Sequence, residues 1–232
     1  MNKPTQLVII GGGFSIKEGL SLNLWDKLKG HFVIGTNYAY KFNDFTFNTF
    51  VDSTFYNTGK EELDKLPMII GQARNVKAKG SNLIPLQCGS TWDRTLKGGC
   101  YSARLCGIYT LSLAIYLLDE GDLFLLGYDN GAITKELDNK KRKISHWYQG
   151  EIEHRGVGRV NYYDIKDRGE RDYGVYKQEQ RVRIYNVSLQ SNIPVFPKIS
   201  YEEFFQKLDT NLYNQDELRL LIKTKLQGKY KL

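Results

Sequence analysis

Leu7-Val8-Ile9-Ile10-Gly11-Gly12-Gly13-Phe14-Ser15-Ile16-Lys17-Glu18 joins an apolar run to three glycines and a helix-start signal. Four apolar residues closed by glycine read as a short strand buried on both faces. The glycines allow a sharp turn and leave room beside the main chain. Ser15 and Glu18 stand at capping-box spacing, so a helix is expected to begin there. A strand, a glycine turn and a helix start together offer N–H groups to an anion such as a phosphate. The same residues also suit a tight turn that holds no ligand. The stretch is not the dinucleotide fingerprint, because the third glycine of that spacing falls on Ile16. It is not a Walker A loop either, since no Gly-Lys-Ser/Thr follows.

Working outward, the pattern repeats. Leu20–Leu28 reads as a short amphipathic helix, closed by Gly30. Phe32-Val33-Ile34-Gly35 reads as a second buried strand, running into Thr36-Asn37. An Asn at the carboxyl edge of a parallel sheet is a candidate base or ribose contact, or a turn former. Thr49–Asp52 reads as a third strand. Asp52 at its end would hold a ribose or a metal, or cap the next segment. Leu66–Ile70 and Leu83–Leu86 read as further strands, and Gln87–Gly99 as a loop over the sheet edge. Arg104–Leu118 is the strongest helix, apolar on nearly every side. Gly107 near its start would let it approach the glycine turn or a ligand. Asp122–Gly127 is the next strand, with Asp129 at its carboxyl edge and a type I′ turn at Asn130-Gly131. Val182–Val187 is the last strand. Tyr201–Leu208 and Asp216–Gln227 are amphipathic helices.

The expected fold is therefore α/β: a Rossmann-like, mostly parallel sheet flanked by helices, in a single domain over residues 1–232. Two features elaborate it. Residues 139–183 are charged, rich in Tyr and Gly, and read as a lid or insertion. Residues 200–232 form C-terminal helices. The lid contains His146, His154 and Arg155, and histidine is the side chain best suited to move a proton near neutral pH.

The 232 residues suffice for a sizeable core, and the net charge of +7 favours anionic partners. Cys88, Cys100 and Cys106 fit no zinc spacing and read as reduced thiols. No apolar run has the length of a signal or membrane segment, so a cytoplasmic location is expected. From Arg219 onward there are five Lys or Arg and no acid. That end reads as a packed helix with a basic tip, or as a peripheral contact with an anionic membrane.

These pieces in this order resemble the bacterial lipooligosaccharide sialyltransferases, with the related motility-associated glycosyltransferases and archaeal pterin pyrophosphokinases. In that group the first strand leads into Gly-Asn-Gly-Pro-Ser-Leu; here Gly11-Gly12-Gly13-Phe14-Ser15-Ile16 stands there. Thr36-Asn37 matches a nucleotide-contacting pair after the second strand. Cys106-Gly107-Ile108-Tyr109 matches the start of the buried helix, and Leu126-Gly127-Tyr128-Asp129 the end of the following strand. Ser145-His146-Trp147 and Tyr185-Asn186-Val187-Ser188 match later elements. The match runs through about the first 195 residues. Asn130 and Gly131 stand where the sialyltransferases carry tyrosines.

The resemblance implies transfer of a sugar from a nucleotide-sugar donor to a hydroxyl acceptor. It implies that Gly11, Gly12, Gly13 and Ser15 hold the donor phosphate, that Asn37 contacts the nucleotide, and that Gly107 permits close approach. His154 or His146 would deprotonate the acceptor, and Arg155 would offset charge on the leaving phosphate. No metal site or resident cofactor is assigned. Two other readings stay open. One is ATP-dependent pyrophosphoryl transfer to a small alcohol, with Mg2+ near Asp52 and Asp129. The other is a non-catalytic module that binds a nucleotide or nucleic acid. The oligomeric state is open.

Overall fold

A computed structural model describes residues 3–77, 79–132, 135–137, 142–144, 146–148 and 167–229. Seven strands form one parallel sheet: β1 (Gln6–Ile10), β2 (Val33–Thr36), β3 (Phe47–Phe50), β4 (Ile69–Gly71), β5 (Leu83–Pro85), β8 (Gly121–Leu126) and β11 (Val182–Val187). Their order is β11-β8-β1-β2-β3-β4-β5, parallel at every pairing. β6 (Cys88–Gly89) and β7 (Cys100–Tyr101) form a small separate pair. β9 (Lys135–Leu137) and β10 (Arg142–Ile144) form an antiparallel ribbon.

The apolar run of β1 is buried because both faces of the sheet are covered. Its side chains alternate between two cores. Leu7 and Ile9 face α4 (Cys106–Leu118) and α7 (Gln215–Leu226). Val8 and Ile10 face α1 (Ile16–Ser21), α2 (Leu24–Leu28) and α6 (Tyr201–Lys207). A third cluster packs α3 (Ser53–Leu63) on β3, β4 and β5 through Phe50, Tyr56, Leu63 and Ile69. The architecture is a three-layer α/β/α sandwich of the Rossmann-like kind.

Several expectations need correction. Leu20–Leu28 is not one helix: Asn23, at φ +59°, separates α1 from α2. The left-handed conformation cannot continue a right-handed helix. The Gln87–Gly99 loop contains a strand, and α3 lies in a stretch for which the sequence reading named no element. Of the expected lid, residues 167–183 pack into the domain. Residues 167–183 carry α5 (Gly169–Tyr173) and a 3-10 turn (Gly174–Gln178) that send Tyr173 and Tyr176 into the core beside α4. The Tyr176 hydroxyl lies 2.7 Å from that of Ser112, so the buried phenol keeps a polar partner. Among the described residues no helix is long and apolar enough to cross a membrane.

Candidate functional site

Strand order reverses between β1 and β8. The chain builds β2 to β5 outward on one side of β1, then returns to place β8 and β11 on the other. Ligands of open parallel sheets bind at the carboxyl ends of the strands beside such a reversal. Gly11–Gly13 leave β1 there, and Gly127-Tyr128-Asp129 leave β8 there.

The first turn is closed on itself. The Gly11 N–H donates to the Leu126 carbonyl at 2.7 Å and the Gly13 N–H to the Gly127 carbonyl at 2.8 Å. A Cβ on either glycine would lie 2.7 Å from the Gly127 oxygen, which is why these positions need glycine. Ser15 donates its N–H to Asp129 Oδ2 at 2.8 Å and its hydroxyl to Oδ1 at 2.5 Å. Asp129 is 2% exposed. Burial pushes its carboxyl above the usual range, opposed by the Ser15 hydrogen bonds and the Phe14 N–H. Asp129 thus sits where an incoming phosphate was expected at the start of α1. The expected capping box is absent, because the Ser15 hydroxyl is turned to Asp129 and makes no cap bond. Asn130 and Gly131 do form the expected tight turn. Both have positive φ, and the Ala132 N–H closes it onto the Asp129 carbonyl at 3.1 Å.

The outer side of the glycine turn meets an aromatic cluster. Trp147 donates its indole N–H to the Gly11 carbonyl at 3.1 Å and its backbone N–H to the Gly12 carbonyl at 2.9 Å. The His146 ring rests on Gly12, where any Cβ would collide with it. Tyr148 lies 5.3 Å from His146, and Phe42 lies 4.4 Å from Trp147, centroid to centroid. His146 therefore joins the switch point. His154 and Arg155 lie outside the described residues.

Across the crevice α4 begins differently. Its N-cap, Leu105, has no side chain that caps. The N–H groups of Cys106, Gly107 and Ile108 meet no protein acceptor among the described residues. A bare first turn on a 13-residue helix carries partial positive charge. Just before it Ala103 and Arg104 stand at φ +41° and +68°. Such conformations cost about 1 kcal/mol or more each in non-glycine residues. Arg104 is exposed and makes no ion pair among the described residues. Gly107, expected to let the helix approach the glycine turn or a ligand, does not meet the turn directly. The Tyr128 ring fills the gap, 3.2 Å from a Cβ built on Gly107 and 3.1 Å from one on Gly11. Its hydroxyl donates to the Gly107 carbonyl at 2.9 Å. One aromatic ring separates the two helix starts.

Asn37, at φ +48°, follows β2 on the same edge. Its carbonyl accepts from Asn48 at 2.9 Å and its N–H meets the Cys106 thiol. Its side-chain amide makes no hydrogen bond among the described residues. Burial pushes the Cys106 thiol up to about 12, which removes it as a nucleophile. Asp52 caps α3, accepting from the Thr54 N–H at 2.8 Å. Asn186 is fully buried and holds the β8 end, donating to the Tyr128 carbonyl at 3.2 Å and to Ser191 at 2.9 Å. Among the described residues no three His, Cys, Asp or Glu gather as a metal site.

Sequence reasoning quoted Trp147 and Tyr128 only within longer motifs and gave them no role, and it missed Arg104 and the bare start of α4. The only available signal for the last was a negative one: Leu105 stands where Ser, Thr, Asp or Asn would cap. Comparison with protein-family models, with curated proteins and with solved structures returns no match.

Proposed function

We propose that this chain is a glycosyltransferase-like enzyme that moves a sugar from a nucleotide-sugar donor to a hydroxyl acceptor. The observation that carries this reading is the uncapped start of α4 at the reversal of strand order, one ring away from the glycine turn. Donor phosphates lie against the α4 N–H groups, with Arg104 beside them, rather than in the turn after β1. Asn37 offers its amide to the nucleotide. His146, resting on Gly12, takes the acceptor proton as the acceptor oxygen bonds to the sugar carbon. The bond from that carbon to the phosphate oxygen breaks, and the charge left on the nucleotide is met by the helix N-terminus.

A thermal-shift screen of nucleotides and nucleotide sugars, each with and without magnesium, tests the proposal. A ligand that binds only the folded state raises its apparent stability. A metal-independent shift confined to one nucleotide family supports the donor reading and identifies its class. A shift with ATP only in the presence of magnesium replaces it with pyrophosphoryl transfer. No shift with any nucleotide removes both enzymes. With a donor in hand, His146→Gln is expected to lower turnover about a hundredfold while donor affinity holds.

A further inference from the structure

A second feature lies on the same carboxyl edge, over β4 and β5. It is a groove of about 700 Å³, within the range of small-molecule sites. Three stretches of chain build it. Arg74 and Lys79 come from the connection between β4 and β5, Lys97 from the loop before β7, and Lys229 from the residues after α7. No Asp or Glu lines it. None of the four cations makes an ion pair among the described residues. The same loop shows the contrast. Arg94 turns inward to Glu179 and Asp119. Lys97, three residues on, faces the groove. Asp93, in the same loop, is engaged by the N–H groups of Thr95 and Lys97 and by the Thr95 hydroxyl, and Asp64, beside Gly80, is paired with Lys60. Lys229 acts electrostatically on Asp93 and lies over the Tyr116 ring; the four cations still outnumber that carboxylate and repel one another, so the arrangement favours an anion between them.

The lining narrows the class of anion. Gln72 and Gln87 add side-chain amides suited to hydroxyl groups. Leu86 and Leu96, both almost fully buried, form part of its wall, and no aromatic ring lines the groove. Single-stranded nucleic acid is held by basic grooves with aromatic stacking platforms, and the platform is missing here. β5 lies four strands from β1, or about 19 Å at roughly 4.8 Å per strand. The groove is therefore separate from the switch point.

We propose that the groove between Arg74, Lys79, Lys97 and Lys229 binds a small phosphorylated, hydroxyl-bearing ligand of sugar-phosphate or sugar-bisphosphate type. Recognition rests on charge at the four cations and on the two glutamine amides. This site stands whether or not the donor reading holds, because its test reads binding alone.

The experiment is calorimetric titration of the full chain with inorganic pyrophosphate, with a hexose bisphosphate, and with a 20-nucleotide single strand. Each is measured at 50 and 200 mM salt. Two variants accompany it: Lys79→Ala with Lys97→Ala in one chain, and Arg104→Ala at the switch point. Both Lys79 and Lys97 are exposed, so the double variant keeps its core. The expected result is one-to-one binding of the bisphosphate, stronger than that of pyrophosphate. Affinity then falls at least tenfold in the double lysine variant and less than twofold in Arg104→Ala. Equal affinity in the double variant and the native chain overturns the assignment. So does loss confined to Arg104→Ala, which moves the anion to the switch point. Binding of the oligonucleotide alone, falling steeply with salt, overturns the small-ligand class. Absence of saturable binding to all three overturns the site.

Discussion

Two helices begin at the reversal of strand order, and they begin in opposite ways. α1 follows the glycine turn that any sequence reading would choose as the phosphate site. Yet its first turn is filled by the chain's own Asp129, and the Gly11 and Gly13 N–H groups go to the Leu126 and Gly127 carbonyls at the end of β8. α4 starts without a cap and after two strained residues, and its first N–H groups meet no acceptor among the described residues. A glycine turn needs room for close backbone approach, and here the approaching group is the neighbouring strand end. The difference teaches that a glycine-rich turn specifies closeness, not the identity of what comes close.

The largest expected effect would break the closed start. Gly13→Val places branched atoms against Asp129 and the Gly127 carbonyl, and should lower stability by about 3 kcal/mol through overpacking. Urea denaturation reads it; a loss under about 1 kcal/mol would mean that the turn is not closed as described. Next comes Asp129→Asn, which weakens the bonds to Ser15 and is expected to cost about 2 kcal/mol. Its pH dependence sharpens the point. Burial raises the folded value of Asp129 above the unfolded one, so the folded state holds the proton more tightly. The group's contribution to stability is fully present below the unfolded value and is lost as pH rises through the folded value. The advantage of the native chain over Asp129→Asn should shrink across that rise in urea midpoints. A growing advantage contradicts the sign.

The open start should respond in the other direction. Leu105→Asp supplies the missing cap and is worth about 1 kcal/mol of stability. The same carboxylate would occupy the turn, so nucleotide binding in the thermal-shift screen should vanish as stability rises. Retained binding separates the donor from α4. Arg104→Gly relieves a left-handed residue, keeps stability within about 1 kcal/mol, and is expected to weaken nucleotide binding. The smallest effect concerns the two Ser-x-x-Glu signatures. Glu18→Gln should change stability by under about 0.5 kcal/mol, because Ser15 builds no capping box. Ser200→Ala should cost about 1 kcal/mol, because Ser200 and Glu203 do build one at α6. Equal effects in the two would erase the distinction.

Much of the fold was legible in the sequence. Apolar runs such as Leu7–Ile10 and Leu123–Leu126 announce strands covered on both faces, since such strands can be apolar at every position. The mostly apolar Ile108–Leu118 stretch likewise announced a helix buried between sheet and C-terminal helix. The strand ends named candidate residues through local chemistry alone: Gly11–Gly13, Asn37 and Asp129.

What those residues do was decided by the tertiary structure. Ser15-Ile16-Lys17-Glu18 and Ser200-Tyr201-Glu202-Glu203 carry the same local signal, and only the second is obeyed. The reason is distant in sequence: Asp129 arrives across the sheet, 114 residues away, and a buried carboxylate claims the Ser15 donors that a local cap would have used. His146 reaches Gly12, and Trp147 reaches Gly11, by a fold of the chain that no spacing announces. Periodicity records which residues are buried, because burial is a property of each position. Which donors meet which acceptors depends on where strands end beside one another, and that is fixed only when the sheet has formed.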